Sequence, residues 1–284
     1  MKLVSFLFNG KESWGVAVKG GLVDVGVHYA DRMSTLNEAL TQADAWDRAR
    51  DWSSAARKPD AADGTFTYLP PVTRPGKIVC VGLNYRKHAA ETNNPIPAKP
   101  LLFPRWADSH VAHKQAIVRP KESDRFDFEG ELAVIIGKEA RRVPLDKALS
   151  YVAGYSIYND GSIRDWQRHT TQYMPGKNYW RSGSFGPCMV TTDEIPDPSK
   201  LRLTTRLNGT VVQDEGIDDL IFNVPQLIEY ISTFMPLHPG DVIVTGTPSG
   251  VGAARTPPLW MKHGDTLEIE ISKIGTLTNP VVNE

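Results

Sequence analysis

The sequence predicts an α+β fold that is mainly β, with a small mixed segment ahead of a larger β-rich one, and three observations lead there. Beyond residue 76 the chain runs in short β-type stretches: Ile78-Val79-Cys80-Val81, residues 132–136, 155–158 and 201–207, Val242-Ile243-Val244-Thr245, and residues 266–271. The clearest amphipathic helix covers residues 223–235, where Val224, Leu227, Ile228, Ile231 and Phe234 recur at spacings of three and four. A punctuated stretch, Tyr68-Leu69-Pro70-Pro71-Val72-Thr73-Arg74-Pro75-Gly76, separates this texture from the one before it and reads as a boundary. The expected organisation is therefore a small N-terminal domain over residues 1–70 and a larger domain over 74–284.

Within the first part, Gly15-Val16-Ala17-Val18, a Lys19-Gly20-Gly21 turn and Leu22-Val23-Asp24-Val25 predict a hairpin. Residues 34–52 are helical in character, opening on a Ser/Thr cap candidate and rich in Ala, Glu, Arg and Leu. In the second part, Asn208-Gly209 predicts a type I′ hairpin because both residues accept positive φ. Pro225 suits the first turn of the helix over 223–235. No internal repeat or low-complexity tract interrupts the chain.

Composition narrows the function classes. Lys+Arg at 32 against Asp+Glu at 33 leaves a net charge of −1, which gives no electrostatic footprint for nucleic acid or an acidic membrane surface. Cys80 and Cys188 are the only cysteines, so no disulfide framework is indicated and a reducing compartment is expected. The apolar run at the amino terminus is too short for a signal sequence, and nothing approaches a membrane-spanning length. A soluble, cytoplasmic protein is the expectation.

The chemistry is densest in Asp127-Phe128-Glu129-Gly130-Glu131, at the mouth of an apolar strand. Side chains at i and i+2 of a strand share a face, so Glu129 and Glu131 oppose each other's ionisation unless a cation lies between them or water bathes that face. A second apolar run ends on Asn159-Asp160-Gly161. Three carboxylates at strand ends make an all-oxygen site suited to magnesium, manganese or calcium, and no Cys/His cluster with zinc spacing is present. The bland alternative is a solvated edge strand with Asp160 capping a turn.

Four further groups stand out. His88 and Glu91 share a face if their segment is a helix turn, and a carboxylate beside an imidazole fixes its tautomer and raises its basicity, as a general base requires. Such pairs also decorate ordinary surface helices. Arg164 and Gln167 fall on one side of a helix start just beyond Asp160, placed either to hold a substrate carboxylate or carbonyl or, for Arg164, to make a surface salt bridge. Lys177, in Met174-Pro175-Gly176-Lys177-Asn178, is a loop lysine that either stabilises an enolate beside the cation or is simply solvated. The glycine-rich turn over residues 245–252 either exposes backbone N–H groups to a ligand or is a plain tight turn, and it lacks the Gly-Lys-Ser/Thr of a P-loop. Trp106, Trp166, Trp180 and Tyr173 are equally suited to a pocket wall and to the core.

Taken in order over about residues 74–284, these pieces resemble the fumarylacetoacetate hydrolase family. The resemblance rests on Val81-Gly82-Leu83-Asn84-Tyr85 with His88 and Glu91, on residues 128–137, and on Asn159-Asp160 with Arg164-Asp165 and Gln167. It extends to Leu207-Asn208-Gly209, residues 237–241 with the turn over 245–252, and Ile274-Gly275-Thr276-Leu277 with Asn279. It implies a mixed β-sandwich roll, usually dimeric, with Glu129, Glu131 and Asp160 holding a divalent ion, magnesium foremost and manganese or calcium as alternatives. It implies also that His88 and Glu91 are a water-activating dyad on a mobile lid segment. Lys177 would neutralise enolate charge, and Arg164, Gln167 and Thr247 would contact a small 2-oxo or diketo acid. Two departures concern substrate identity: relatives often follow the lysine with a small residue, Phe and Asp, where this chain has Asn178-Tyr179-Trp180-Arg181, and Arg105 stands where a lysine is often found. The leading expectation is hydrolysis of a carbon–carbon bond in an acylpyruvate or related β-diketo acid. Decarboxylation or isomerisation of a muconate-type diacid follows, and a metal-stabilised binding domain without catalysis is the minor alternative.

Overall fold

Two mixed sheets organise the chain in the computed structural model, which describes residues 1–56 and 58–284. The larger has twelve strands and the smaller five, and a short pair, Phe126–Asp127 with Ser162–Ile163, leads into the candidate site. The strand Gly130–Ile136 runs antiparallel to both Val152–Asn159 and Val242–Val244, deep within the larger sheet. All seven of its residues are buried, because both faces are covered. Leu132, Val134 and Ile136 join a core shared with Leu203, Leu267, Ile269 and Leu277 of the smaller sheet. Ala133 and Ile135 face a second core formed with Leu36, Ala39 and Ala49 of the N-terminal segment. This is the expected sandwich. Full burial of each large aliphatic side chain contributes roughly 1.5–3 kcal/mol, which lets the same strand carry the buried carboxylate of Glu131.

The expected hairpins are present. Lys11–Val18 and Gly21–Asp24 pair with Val18 opposite Gly21, and Leu207 pairs with Thr210 around Asn208 and Gly209, at φ of 52° and 78°. Lys2–Phe8 pairs with Lys11–Val18 on one side and, through Lys2 and Leu3, with Gly183–Thr191 on the other, so the N-terminal strands extend the larger sheet. The stretch over 68–76 is anchored: Tyr68 pairs with Phe6, Val72 is fully buried, and the Thr73 N–H donates to Asn37 Oδ1 at 3.0 Å.

Two expectations are corrected, and two strands are added. The helix over 34–52 is two helices, Leu36–Ala39 and Ala45–Ala55. Thr35 and Glu38 form a capping box on the first, Thr41 Oγ1 donates to the Glu38 carbonyl at its end, and Asp44 opens the second with an ion pair to Arg48 at 2.7 Å. Phe234 does not join the buried stripe of Val224–Phe234: as the helix's last residue it is 57% exposed and packs edge-on against Tyr230. Strands Gly183–Thr191 and Gly275–Asn283 gave no clear β signal because Gly186-Pro187 and Asn279-Pro280 interrupt their patterns, and ladder partners override that local preference. Cys80 and Cys188 are buried free thiols. Among the described residues no helix is long and apolar enough to cross a membrane.

The strand Gly275–Asn283 is tied down by His113, whose Nδ1 accepts the Thr278 N–H at 3.0 Å. Burial, helped by Lys114, holds the His113 imidazole down to about 4. The unfolded chain therefore binds more protons here, so this group's stabilisation is present above about 6.5 and is lost as pH falls through about 4. His113→Asn keeps an acceptor that does not titrate. Its urea midpoint is expected to fall less than the wild type's between pH 7 and pH 4.5, and equal falls would contradict the assignment.

Candidate metal centre and active site

Strand pairing assembles the acids. Glu131 lies opposite Tyr158, while Glu129 and Asp160 flank the ends of Gly130–Ile136 and Val152–Asn159. The Asp160 N–H donates to the Glu129 carbonyl at 2.9 Å, and Asn159 Oδ1 accepts the Glu129 N–H at 3.1 Å. One carboxylate oxygen from each of Glu129, Glu131 and Asp160 lies within 4.8 Å of the other two, and all three residues are buried.

Each acid has its own anchor. Arg164 reaches Glu129 Oε1 at 2.7 Å, and its Nε donates to Asp127 Oδ2 at 2.7 Å. Arg105 Nη1 donates to Asp160 Oδ1 at 2.6 Å. The Gly246 N–H donates to Glu131 Oε2 at 2.5 Å. Gly246 has φ +103°, and a Cβ there would come within 2.7 Å of Asn84 Cβ, so glycine is required to deliver that N–H. Lys177 ends the one-turn helix Met174–Lys177 rather than sitting in a loop, because Pro175 starts a turn that Asn178 stops. Its Nζ bridges Glu129 Oε2 at 2.6 Å and Asp160 Oδ2 at 2.7 Å.

These contacts split the acids electrostatically. Burial opposes ionisation of Glu129, but Lys177 and Arg164 prevail and hold it at about 2. Burial pushes the Glu131 carboxyl well up, and Asp160 and Glu129 add to the effect. Lys177 is raised: its burial works against the charge, and Asp160 and Glu129 outweigh it. Among the described residues, no cationic side chain lies within ion-pair distance of Glu131. Four buried carboxyl groups, with Asp127 counted, thus face three cations, and Glu131 is the one left without a cationic partner. A hard divalent cation fits this donor set and would reverse the penalty on that group.

His88 lies on the helix Arg86–Glu91 with Nδ1 2.7 Å from Glu91 Oε1. Glu91 Oε2 accepts the Gly250 N–H at 2.9 Å. The imidazole therefore presents Nε2 as its remaining nitrogen. Asn84, just before this helix, donates to the carbonyls of Thr245 and Phe222 at 2.7 and 3.0 Å and so secures its base.

A cavity of about 380 Å³ connects these groups, and Glu129, Glu131, Asp160, His88, Lys177, Arg164, Gln167 and Thr247 all line it. Glu91 stands behind His88 and is not on the wall. Two expected ligand contacts already serve the protein: Gln167 Oε1 accepts from Arg164 at 3.0 Å, and Thr247 Oγ1 donates to the Gly130 carbonyl at 3.0 Å while accepting from Gln213. The glycine-rich turn is likewise occupied from within. Its N–H groups at Gly246, Gly250 and Gly252 go to Glu131, Glu91 and Asp127, so the turn orders the site's own acids. Of the four aromatic residues left open between wall and core, Tyr173 lines the cavity beside Phe103. Trp106 and Trp180 are exposed, and Trp166 packs edge-on against Tyr179.

Asp127, Gln213 and Arg105 escaped the sequence reading as site residues. Asp127 had a signal, since it shares the acid run with Glu129 and Glu131. Gln213 had none: it lies on a distant strand, Thr210–Gly216, and reaches the site by tertiary pairing. Arg105 was marked only as a departure, yet its side chain is fully buried and all five of its N–H groups have acceptors. Nε donates to Ser109 Oγ (3.0 Å), Nη1 to Asp160 Oδ1 and the Gly161 carbonyl (3.0 Å), and Nη2 to the Ser109 carbonyl (2.9 Å) and Ser182 Oγ (3.0 Å).

Comparison with known proteins agrees with this architecture. The profile described as fumarylacetoacetate (FAA) hydrolase C-terminal matches residues 77–282. The oxaloacetate tautomerase FAHD2A, mitochondrial, of Homo sapiens is 38% identical over 265 residues, covering 93% of this chain and 84% of the relative. The solved fumarylacetoacetate hydrolase of the psychrophilic Exiguobacterium antarcticum is 32% identical with a TM-score of 0.85, both chains being fully covered. A maleylpyruvate hydrolase from Sphingobium sp. SYK-6, solved with manganese(II) and pyruvate, is 25% identical with a TM-score of 0.80, covering 100% of this chain and 99% of that one. The matched span holds every acid, the dyad and Lys177, and on that ground this chain belongs to the fumarylacetoacetate hydrolase family.

Proposed function

We propose that this chain is a metal-dependent enzyme that enolises a small 2-oxo acid of the 1,3-dicarbonyl type, with keto–enol tautomerisation as its reaction. The observation that carries the reading is the convergence of Glu129, Glu131 and Asp160 on one wall of a cavity that also holds Lys177 and His88. Glu129, Glu131 and Asp160 would hold a magnesium, manganese or calcium ion, magnesium foremost; when bound it supplies a Lewis acid and a template for two substrate oxygens. His88 Nε2 takes a proton from the carbon between the two carbonyl groups, and Glu91 stabilises the resulting imidazolium through Nδ1–H. Lys177 stabilises the negative charge that develops on the enol oxygen, and the proton returns to that oxygen. Arg164 and Gln167, locked together by their hydrogen bond, orient the substrate, and Thr247 closes the wall.

Hydrolysis of an acylpyruvate is the second reading, favoured by the His88–Glu91 pair. There His88 takes a proton from water as the oxygen adds to the distal carbonyl. The carbon–carbon bond then breaks to give a carboxylic acid and the enolate of pyruvate. The sequence expectation puts hydrolysis first; similarity to relatives named oxaloacetate tautomerase supports putting tautomerisation ahead of it, and that reaction needs no activated water.

The test follows the enol absorbance of oxaloacetate and of a panel of acylpyruvates with magnesium-loaded enzyme, identifying products by mass. Metal-dependent loss of absorbance with oxaloacetate intact is the expected result. Cleavage to pyruvate and a free acid moves the assignment to hydrolase, and an unchanged rate after chelation contradicts both. A homodimer, a cytoplasmic location and the division into 1–70 and 74–284 also stand as proposals, to be decided by size-exclusion chromatography, fractionation and limited proteolysis. A binding domain without catalysis is disfavoured by the buried base, acids and lysine sharing one cavity.

A further inference from the structure

The cavity's cations are unequally engaged. Lys177 is bound to Glu129 and Asp160, and Arg164 is bound to Asp127, Glu129 and Gln167. Arg168, one residue past the helix Arg164–Gln167, also lines the cavity, and its side chain is exposed. Among the described residues it makes no ion pair and no side-chain hydrogen bond. Thr92 and Asn94, just beyond the end of the His88 helix, line the same cavity. Val81, Leu83, Phe103, Val251 and Ala253 add apolar side chains to its wall. The cavity thus combines buried, mutually paired charges and an apolar lining with one exposed, unengaged guanidinium.

A monocarboxylic 2-oxo acid leaves that guanidinium without a partner. We propose that Arg168 is a specificity residue that takes the distal carboxylate of a dicarboxylic 2-oxo acid while the 2-oxo end lies against the acid triad. The inference rests on the proposed enolisation and names the substrate class of that site. A guanidinium meets a carboxylate with two parallel N–H donors, a geometry that an ester lacking the second charge does not reproduce.

The experiment compares kcat/KM for oxaloacetate and for its 4-methyl ester, in wild type and in Arg168→Gln and Arg168→Lys, with magnesium-loaded enzyme. Wild type is expected to prefer the diacid by ~10- to 100-fold, the range of a charge-assisted hydrogen bond. Arg168→Gln is expected to bring that ratio near one, chiefly through KM for the diacid, and Arg168→Lys to restore part of it. In parallel, calorimetry with 2-oxoglutarate and its 5-methyl ester as binding probes reads the same discrimination without turnover. If wild type turns over neither oxaloacetate form but binds the diacid more tightly, and Arg168→Gln removes the difference, the enolisation reading fails and the Arg168 assignment stands. If discrimination is absent in wild type, or survives in Arg168→Gln, the assignment of Arg168 is overturned.

Discussion

Replacing Lys177 with methionine is expected to lower kcat by ~10² to 10³, the usual loss when one preorganised electrostatic contact to a developing oxyanion is removed. Its ammonium lies 2.6 and 2.7 Å from two of the three clustered acids and lines the cavity in which the enolate is proposed to form. The substitution has a second signature. Without Lys177, Glu129 and Asp160 keep only Arg164 and Arg105 as ion-pair partners. The metal-free variant should therefore melt below the wild type, and added magnesium should raise its melting temperature by more than it raises the wild type's. A fall in kcat below tenfold, or an equal magnesium response, would remove Lys177 from the proposed role. Kinetics and thermal melts on one preparation measure both.

The second large effect concerns Arg105. Arg105→Met leaves Asp160 with one cation fewer in a buried site and strips acceptors at Ser109, Ser182 and Gly161 of their donor. Breaking such a pair by removing one partner costs about 3–5 kcal/mol of unfolding free energy. Arg105→Lys keeps the charge but offers three donors to five acceptors, and its ammonium cannot span the fork. It is expected to recover less than half of the loss. The room is matched as well, since a Cβ at Gly183 would come within 2.8 Å of Arg105 Nη2. Urea unfolding at pH 7 measures both variants. A lysine variant as stable as wild type would show that the five-acceptor cradle is incidental.

Arg105 also shows where sequence reading reached its limit. Strand spacing marked Glu129 and Glu131, and the apolar run ending at Asp160, as candidates but left a solvated edge strand open. It was the resemblance to the fumarylacetoacetate hydrolase family that joined the three as a metal set. The structure pairs those two strands directly. Helix spacing put His88 and Glu91 on one face but could not tell a dyad from an ordinary surface pair, whereas turn chemistry was enough for Asn208-Gly209. Arg105, Gln213 and the Gly250 N–H reach the site through pairings between segments far apart in the chain, which no local pattern encodes. The same holds for the fold: Thr266–Ile271 follows its alternation, whereas Gly183–Thr191 is a strand because Val152–Asn159 and Lys2–Phe8 pair with it. The glycine-rich turn looked ready for a ligand because its sequence cannot say which acids will claim its N–H groups.

Glu129, Glu131 and Asp160 are proposed to form one divalent-metal site on which a 2-oxo acid is held. Calorimetric titration of magnesium into chelated protein, repeated with Glu131→Gln and followed each time by pyruvate, tests it most directly. Wild type is expected to bind one ion per chain and to take pyruvate only after the metal, and Glu131→Gln to lose both. Magnesium binding unchanged by Glu131→Gln, or pyruvate binding with equal strength to the chelated protein, would contradict it.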